Sequence, residues 1–354
     1  MKKLKVAVIG VGNIAYFHII NYVKNPDTEL VAFCDINPDT LKRRGEEFGV
    51  TKLFTDYNEM FKAVPEIDLV SVCTWNNAHA PASIAALNAG KHVLCEKPMA
   101  MNAGEALMMQ EAAKRNNRVL QVGFVRRFGN DAAVIRDFAQ NGNLGELYYA
   151  RASYVRRNGN PGGWFGDKAR SGGGPLIDLG VHIIDLVRYL MGNPKPVSVS
   201  GAAFQKLFNR PNIKTPKAYN ATVTTKNDTC DVEDFATALI RFEGGAVLNV
   251  EAGFSLNLGK DETNIGIYGT KGGVKLDPEF KLYTEMNDYL ADVSLASDTA
   301  FDFDGAFQNE IYAFIDAAKG IAPVKATAED GVALMKILDA IYASAETGHE
   351  VVID

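Results

Sequence analysis

The sequence has little cysteine and histidine and no long apolar run. Its 354 residues include 4 cysteines without a Cys-x-x-Cys pair, and 5 histidines without a His-Glu-x-x-His or comparable spacing. These shortages argue against a disulfide framework and a clustered metal site. No apolar stretch approaches the ~18 residues that span a membrane, and the start, Met1-Lys2-Lys3-Leu4, lacks the pattern of a signal peptide. We therefore expect no metal, no membrane association and a reducing, cytoplasmic compartment.

The chain also lacks a basic excess. Its net charge is −6, and no cluster of lysine and arginine stands out from the mixed charge background. A nucleic-acid partner is therefore not expected. The length exceeds the size at which a single hydrophobic core stops growing, so two domains are the simplest expectation.

A glycine-rich turn stands near the start of the chain. The apolar run Val6-Ala7-Val8-Ile9 predicts a buried strand, and Gly10-Val11-Gly12-Asn13-Ile14-Ala15 leads from it into an amphipathic helix. Such a turn lets backbone N–H groups approach a pyrophosphate, whose charge the helix N-terminus favours. About 25 residues further on, Asp35 ends a second apolar run, where a carboxylate accepts from ribose hydroxyls. The alternative is a structural turn with an aspartate that caps the next helix.

This pattern predicts a bound dinucleotide and favours NAD over NADP. The expected contacts come from Gly10, Gly12, Asn13, Ile14 and Asp35. The Asp35 carboxylate would repel a 2′-phosphate, and no arginine follows at once in Ile36-Asn37-Pro38. Lys42, Arg43 and Arg44 lie one helical turn further on, and a cation folding back from there remains an alternative.

Strands and helices alternate up to Phe124, which predicts an N-terminal α/β domain, residues 1–124, with a doubly wound parallel (Rossmann) sheet. Ligands of such sheets bind beyond the carboxyl ends of the strands. The polar residues at the predicted strand ends are therefore further candidates for cofactor binding: Thr74, Asn76, His79, Glu96, Lys97 and Arg126.

From Leu147 onward, longer runs alternate between apolar and polar residues and are separated by glycine-containing breaks such as Glu243-Gly244-Gly245. This pattern predicts a C-terminal α+β domain, residues 125–340, with a large open, mostly antiparallel sheet. Residues 341–354 form a last segment, for which we consider a return toward the first domain.

The second half also holds a helix with aligned polar residues. The helix is predicted from Leu176 to Gly192, with Asp178, His182 and Asp185 on one face. The glycine triplet before it, Gly172-Gly173-Gly174, allows a backbone or a flat ring to approach the helix start. An imidazole suits the removal of a hydroxyl proton, and a cation such as Lys97 suits stabilisation of the resulting alkoxide. Taken alone, His182 is better explained as a structural histidine. The alternative for Lys97, a solvated lysine after an edge strand, is less favoured because of its position at the strand ends.

Three segments together resemble the glucose-fructose oxidoreductase/inositol dehydrogenase/MocA (Gfo/Idh/MocA) family. They are the glycine turn, the stretch Ala89 to Pro98 that ends in Glu96-Lys97-Pro98, and the stretch Gly172 to His182. The resemblance implies a catalytic group of Lys97, Asp178 and His182 that acts on a sugar or polyol with NAD. It also implies a homodimer or homotetramer built through the C-terminal sheet.

The loop before the helix is expected to select the substrate. Arg157 and Asn158 can meet hydroxyls and Trp164 an apolar ring face, alongside Lys97, Asp178 and His182; packing of Trp164 between the domains is the alternative. The loop is similar to that of family members that oxidise pyranose rings such as levoglucosan, or glucosides at the 3-position. We expect an NAD-dependent sugar, anhydrosugar or polyol dehydrogenase. The alternatives are an inositol 2-dehydrogenase, a glycosidase that retains NAD, and a sugar or NAD sensor without turnover.

Overall fold

The computed structural model describes residues 3–207, 210, 212–214, 217, 220–221, 229–277, 279–296 and 299–354. Contacts between Cα atoms divide the chain into two compact units. The first comprises Met1–Phe128 and Asp302–Val332, and the second comprises Gly129–Phe301 and Ala333–Asp354.

The α-helices and strands alternate in the first third, and strands predominate later. The helices of the described residues are α1 (Asn13–Lys24), α2 (Pro38–Phe48), α3 (Tyr57–Ala63), α4 (Asn76–Asn88), α5 (Ala103–Asn116), α6 (Asn130–Gln140), α7 (Lys168–Ser171), α8 (Val181–Leu190), α9 (Phe303–Ala318) and α10 (Ala328–Thr347). The strands are β1 (Leu4–Ile9), β2 (Thr28–Cys34), β3 (Leu53–Phe54), β4 (Leu69–Val72), β5 (His92–Glu96), β6 (Leu120–Gly123), β7 (Leu147–Val155), β8 (Pro196–Phe204), β9 (Phe235–Phe242), β10 (Val247–Gly253), β11 (Glu262–Gly269), β12 (Gly272–Asp277), β13 (Lys281–Met286), β14 (Tyr289–Val293) and β15 (Val351–Val352). Among the described residues, no helix is long and apolar enough to cross a bilayer.

The first unit contains a six-stranded parallel sheet in the order β3-β2-β1-β4-β5-β6. This order is that of the doubly wound dinucleotide-binding fold, whose ligand site lies where the strand order reverses. Here the reversal falls at β1, between β2 and β4. The apolar strands that predicted a buried sheet form its core, including Val6, Val8 and Leu69. The parallel N-terminal sheet is therefore confirmed.

The helix α9 belongs to the first unit although it follows the second in sequence. Ile311, Phe314 and Ile315 of α9 pack in one apolar cluster with Val6 and Leu94 of the parallel sheet. The predicted boundary at residue 124 lies close to the end of the first segment at Phe128, but residues 302–332 were placed in the second domain by the sequence alone. The position of α9 in the sequence therefore does not show which sheet it packs against.

The second unit contains a nine-stranded sheet in the order β14-β13-β12-β11-β7-β10-β9-β8-β15. Adjacent strands of this sheet are antiparallel, except that β7 and β10 run parallel to each other. The large, mostly antiparallel sheet is thus confirmed, and α8 contacts β7 and β11. The strand β15 pairs with β8 in this sheet. The C-terminal segment therefore belongs to the second unit, and its return toward the first domain stays a prediction.

Candidate active site

The glycine turn of the first unit has the shape that a pyrophosphate requires. Gly10 has a φ of +79°, and a Cβ atom there would lie 2.6 Å from the Cys73 carbonyl oxygen, so only glycine fits. At Gly12 an added Cβ atom would meet nothing within 4 Å. Gly12 precedes α1 without a capping side chain. An anion's oxygens can therefore take the place of a cap at this helix N-terminus.

Asp35 follows β2 and is hydrogen-bonded to the same turn. Its Oδ2 accepts from the Val11 backbone N–H at 2.8 Å, and its Oδ1 accepts from the Asn37 backbone N–H at 2.8 Å. Each carboxylate oxygen can accept a further hydrogen bond. Asp35 thus has a local structural role, and its contact with a ribose stays a prediction.

The cation Arg44 is directed at the glycine turn. Its Nε donates to the Val11 carbonyl at 3.3 Å, its Nη2 to the Gly12 carbonyl at 3.3 Å, and its Nη1 to Glu47 at 2.7 Å. Arg44 is buried, whereas Lys42 and Arg43 are exposed. Of the three cations considered, Arg44 is therefore the one that folds back onto the turn. Its guanidinium is bound there to backbone carbonyl oxygens.

The other predicted cofactor residues all follow strands of the parallel sheet. Thr74 comes after β4 and is partly exposed, whereas Asn76 and His79 are buried at the start of α4. Both ring nitrogens of His79 face carbonyl oxygens, Nδ1 that of Pro98 at 2.7 Å and Nε2 that of Thr74 at 3.1 Å. Arg126 lies in a 3₁₀ turn directly after β6. The His79 ring therefore joins two strand ends, and direct contact of these four residues with a cofactor stays a prediction.

Lys97 stands out in the segment that follows β5. Across residues 93–100 it is the only residue that is not buried. Glu96 before it is buried and accepts hydrogen bonds from the Lys97 backbone N–H at 3.1 Å and from His18 Nε2 at 2.8 Å. His18 was not singled out from the sequence, although its position on the apolar face of α1, with Ala15, Ile19 and Tyr22, marks it as a buried polar residue.

His18, Glu96 and Glu310 form the one set of possible metal ligands that the described residues bring together. Their ligand atoms lie within 4.8 Å of one another, and all three residues are buried. The hydrogen bond from His18 Nε2 to Glu96 uses the imidazole nitrogen that faces the carboxylate. In this arrangement the His18 imidazole and the Glu96 carboxylate are hydrogen-bonded to each other rather than directed at a shared ion.

The predicted helix of the second unit begins with a π-helical turn, Leu176–Gly180, and continues as α8. Across residues 173–190 only Asp178 and His182 are not buried, whereas Asp185 is buried. The helix ends as predicted, with Gly192 at a φ of +91°. The structure thus places Asp178 and His182 on one accessible stripe, and π-helical turns are frequent at functional sites.

Glu233 holds the start of this helix. Its carboxylate accepts hydrogen bonds from the backbone N–H of Gly174 at 2.9 Å, the backbone N–H of Leu176 at 3.1 Å and the Tyr342 hydroxyl at 2.9 Å. A Cβ atom on Gly173 would collide with the Tyr342 ring, and one on Gly174 with the Glu233 backbone. The glycine triplet therefore admits both a ring and a backbone, as its sequence predicted. Burial raises the pKa of Glu233 despite these hydrogen bonds.

The loop after β7 carries the predicted substrate residues of the second unit. The Arg157 backbone N–H donates to Asp261 at 2.8 Å, and its guanidinium donates to the Gly259 carbonyl at 3.1 Å. Arg157 is exposed, Asn158 is partly exposed, and the Trp164 ring stacks on Phe165 at 4.1 Å between centroids. Their substrate contacts stay predictions.

Comparison with known proteins decides the family. Residues 4–124 match the family model described as an oxidoreductase family with an NAD-binding Rossmann fold, and residues 133–275 match the GFO/IDH/MocA C-terminal domain. The chain is 36% identical to D-glucoside 3-dehydrogenase of Escherichia coli over 98% of its own length and 97% of that protein. The chain belongs to the Gfo/Idh/MocA oxidoreductase family.

More distant members of the Gfo/Idh/MocA family resemble the chain along almost its whole length. Myo-inositol 2-dehydrogenase of Thermotoga maritima is 27% identical over 93% of this chain and 92% of its own. The solved structure of a levoglucosan dehydrogenase in complex with NADH and levoglucosan has a TM-score of 0.84 at 25% identity, covering 99% of this chain and 100% of that one. Relatives of this chain are thus dehydrogenases of sugars and inositols.

The residues of the first unit fit the NAD of the Gfo/Idh/MocA family. The open space at Gly12 and the uncapped start of α1 suit a pyrophosphate, and the Asp35 carboxylate beside the turn suits a ribose. Two anchoring residues, His18 and Glu233, were missed from the sequence. His18 could have been found from its helix face, whereas nothing near Glu233 in the sequence links it to Gly174.

Proposed function

We propose that this chain is an NAD-dependent dehydrogenase that oxidises a secondary hydroxyl of a sugar, anhydrosugar or polyol. In this proposal His182 accepts the hydroxyl proton and Lys97 stabilises the negative charge that develops on the oxygen. Asp178 accepts a hydrogen bond from a neighbouring substrate hydroxyl. NAD supplies the hydride acceptor when it is bound.

The observation that carries the proposal is the selective exposure of these three residues. Within residues 93–100, only Lys97 is not buried. Within residues 173–190, only Asp178 and His182 are not buried. A lysine that is merely solvated at the surface does not need buried neighbours on both sides, as Lys97 has. Segments that present one or two polar side chains from a buried, fixed backbone are typical of functional sites.

The favoured substrate is a glucoside or a similar pyranose ring. The support comes from the 36% identity to a D-glucoside 3-dehydrogenase and from the chain's similarity to levoglucosan dehydrogenases. Arg157 and Asn158 offer groups that bind ring hydroxyls, and Trp164 offers an apolar face. The second candidate is an inositol, because the chain is also similar to inositol 2-dehydrogenases and an inositol ring offers comparable hydroxyls.

The test is a panel of glucosides, levoglucosan, free sugars and inositols, each with NAD or NADP, followed by the absorbance of the reduced cofactor. We expect the highest kcat/KM with a pyranoside and NAD. A preference for an inositol would replace the proposed substrate class. Cleavage of the glycosidic bond without net reduction of NAD would identify the glycosidase, and binding without turnover of any compound would identify a sensor.

We also infer a homodimer or homotetramer formed through the nine-stranded sheet. Tyr149 and Tyr268 stack on neighbouring strands with ring centroids 5.9 Å apart. Val247 is paired with Tyr149 on the next strand, and Leu239 is paired with Asn249, two residues further along that strand. These side chains alternate with the buried residues of the same strands, so they lie on the other face of the sheet. Light scattering of the native protein and of the Leu239→Lys variant tests this assembly; a monomeric native protein would exclude it.

A reducing, cytoplasmic location completes the proposal. Its support is that all four cysteines are free thiols, three of them buried.

A further inference from the structure

A chain of buried hydrogen bonds runs across the first unit and ends at the backbone of Lys97. The Tyr22 hydroxyl lies 2.9 Å from Ser71 Oγ, which lies 3.1 Å from His18 Nδ1. His18 Nε2 is 2.8 Å from Glu96 Oε1, and Glu96 Oε2 accepts from the Lys97 backbone N–H at 3.1 Å. Residues from α1, β4 and β5 thus contribute to one network whose last member is Lys97.

The hydrogen bonds of this network can all donate in one direction, from Tyr22 toward Glu96. Burial raises the pKa of Tyr22, so its phenol keeps its proton and can donate to Ser71. Ser71 can then donate to His18 Nδ1, which leaves the ring proton on Nε2 to be donated to Glu96. Burial alone would raise the pKa of Glu96, but the hydrogen bond from His18 and the positive charge of Lys97 hold it below its ordinary value. The carboxylate is therefore an ionised double acceptor.

A second histidine holds the backbone on the other side of Lys97. His79 Nδ1 lies 2.7 Å from the Pro98 carbonyl oxygen, and its Nε2 lies 3.1 Å from that of Thr74. His79 is 1% exposed and His18 is fully buried, so neither ring reaches solvent. Two buried imidazoles from two helices thus contact the residues directly before and after the accessible lysine.

Such a network is costly unless it is complete. Ser71, His18, His79 and Glu96 are polar groups inside an apolar sheet layer, and each would lose hydration without gaining a partner if the chain were interrupted. Apolar side chains would fill the same space without this cost. Only polar groups can form a directional hydrogen bond to the Lys97 backbone, and the network provides this bond.

We propose that His18, acting through Glu96, is a positioning residue for Lys97. His79 fixes the other side of Lys97 by its direct contact with the Pro98 carbonyl oxygen. This inference rests on the proposed role of Lys97 in alkoxide stabilisation. A lysine is a flexible side chain with a point charge, so the place of its ammonium group depends on the place of its backbone. A displacement of about 1 Å at a reacting group can cost about 10²-fold in rate.

The test compares His18→Phe and His18→Gln with the native enzyme, using a methyl glucoside or the best substrate of the panel. His18→Phe removes both hydrogen bonds, and we expect kcat to fall about 10- to 100-fold with the dissociation constant of NADH changed less than about threefold. His18→Gln keeps a donor for Glu96 and should recover part of the loss. His92→Gln is the matched control, because His92 opens the same strand and its imidazole Nδ1 accepts a hydrogen bond from the Val119 backbone N–H, away from Glu96 and Lys97.

A double variant separates positioning from general destabilisation. If His18 acts through Lys97, His18→Phe should add little to the loss caused by Lys97→Ala, because residues that act as a unit have non-additive effects. Multiplying losses, or full kcat in folded His18→Phe, would overturn this inference while leaving the proposed function intact. Full kcat in Lys97→Ala would overturn the proposed function itself.

Tyr22→Phe keeps the test decisive if His18→Phe fails to fold. It removes one hydroxyl at the far end of the network and leaves the ring in place, so the fold should survive. We expect a two- to fivefold lower kcat with unchanged NADH binding, from the weakened hold on His18. An unchanged kcat in Tyr22→Phe, together with an unchanged kcat in Ser71→Ala, would also overturn the inference.

Discussion

The two glutamates that hold the candidate functional segments are buried alike but are stabilised in different ways. Glu96 in the first unit binds His18 and the Lys97 backbone, and Glu233 in the second unit binds two backbone N–H groups and the Tyr342 hydroxyl. The first has cationic or ionisable partners and the second has only dipoles. Accordingly, the pKa of Glu96 is lowered and that of Glu233 is raised.

This difference shows two physical solutions to one requirement. Each functional side chain needs a fixed backbone, and a buried carboxylate can fix it by accepting hydrogen bonds from backbone N–H groups. Near Lys97 the carboxylate accepts a hydrogen bond from the imidazole and is stabilised by the positive charge of the ammonium group. At the start of the helix, hydrogen bonds from peptide dipoles and a phenol must suffice, so burial dominates.

The largest predicted effect concerns His182 and Lys97, the two side chains proposed to act on the substrate hydroxyl. His182→Ala should lower kcat about 10²- to 10⁴-fold if the imidazole takes the hydroxyl proton, and Lys97→Ala about 10²- to 10³-fold if the ammonium stabilises the alkoxide. The double variant should be little worse than His182→Ala, because both groups act in one step. Steady-state kinetics with NADH titration checks this. Independent, multiplying losses would mean that the two segments serve different steps.

The next largest effect concerns Glu233. Glu233→Gln keeps the shape but places an NH₂ group against a backbone donor, so the free energy of unfolding should fall by about 1–3 kcal/mol and kcat should fall with it. Tyr342→Phe removes only one donor and should cost about 0.5–1.5 kcal/mol. Urea unfolding and kcat are measured for both, with the exposed Glu243→Gln as the control. Lost stability with unchanged kcat would show that this glutamate supports the fold but not the reaction.

Local features of both units were predictable because they depend on residues close in sequence. The glycine turn, the acid at the end of β2 and the alternation of strands and helices indicated the parallel sheet, and the glycine triplet indicated a close approach at the helix start. Each of these rests on backbone geometry that only one or two residue types allow. Helical spacing predicted Asp178, His182 and Asp185 on one face. In the structure Asp185 is buried, and Asp178 lies in a π-helical turn whose spacing differs from that of an α-helix.

The partners of these features could not be predicted in the same way. Glu233 is 59 residues from Gly174 and 109 from Tyr342, and no spacing rule connects such positions. An amphipathic pattern shows that α9 has a buried face but not which sheet buries it. His18 lies between these cases, since its place among apolar positions of α1 marks burial but does not name Glu96, 78 residues away, as its partner.

A smaller effect is expected at Asp35, which combines a local and a predicted ligand role. Asp35→Ala should weaken NAD about 10- to 100-fold through loss of a charged hydrogen-bond acceptor, and should reduce the discrimination against NADP. Asp35→Asn retains an acceptor for the Val11 N–H but removes the charge, so it should relax discrimination with a smaller loss of NAD affinity. Dissociation constants for both cofactors check this, and unchanged discrimination in both variants would assign Asp35 to the turn alone.

The smallest effect should appear in how stability depends on pH, and it has opposite signs for the two glutamates. The lowered pKa of Glu96 gives stability that is present above the ordinary glutamate value of 4.5 and is lost as the pH falls through the folded-state value. The raised pKa of Glu233 gives stability that is present below 4.5 and is lost as the pH rises through its folded-state value. Urea unfolding of the native protein, Glu96→Gln and Glu233→Gln across this range measures both. The destabilisation by Glu96→Gln should grow as the pH rises toward 4.5, whereas that by Glu233→Gln should shrink above it. The same sign for both variants would show that charge and dipole partners do not distinguish the two sites.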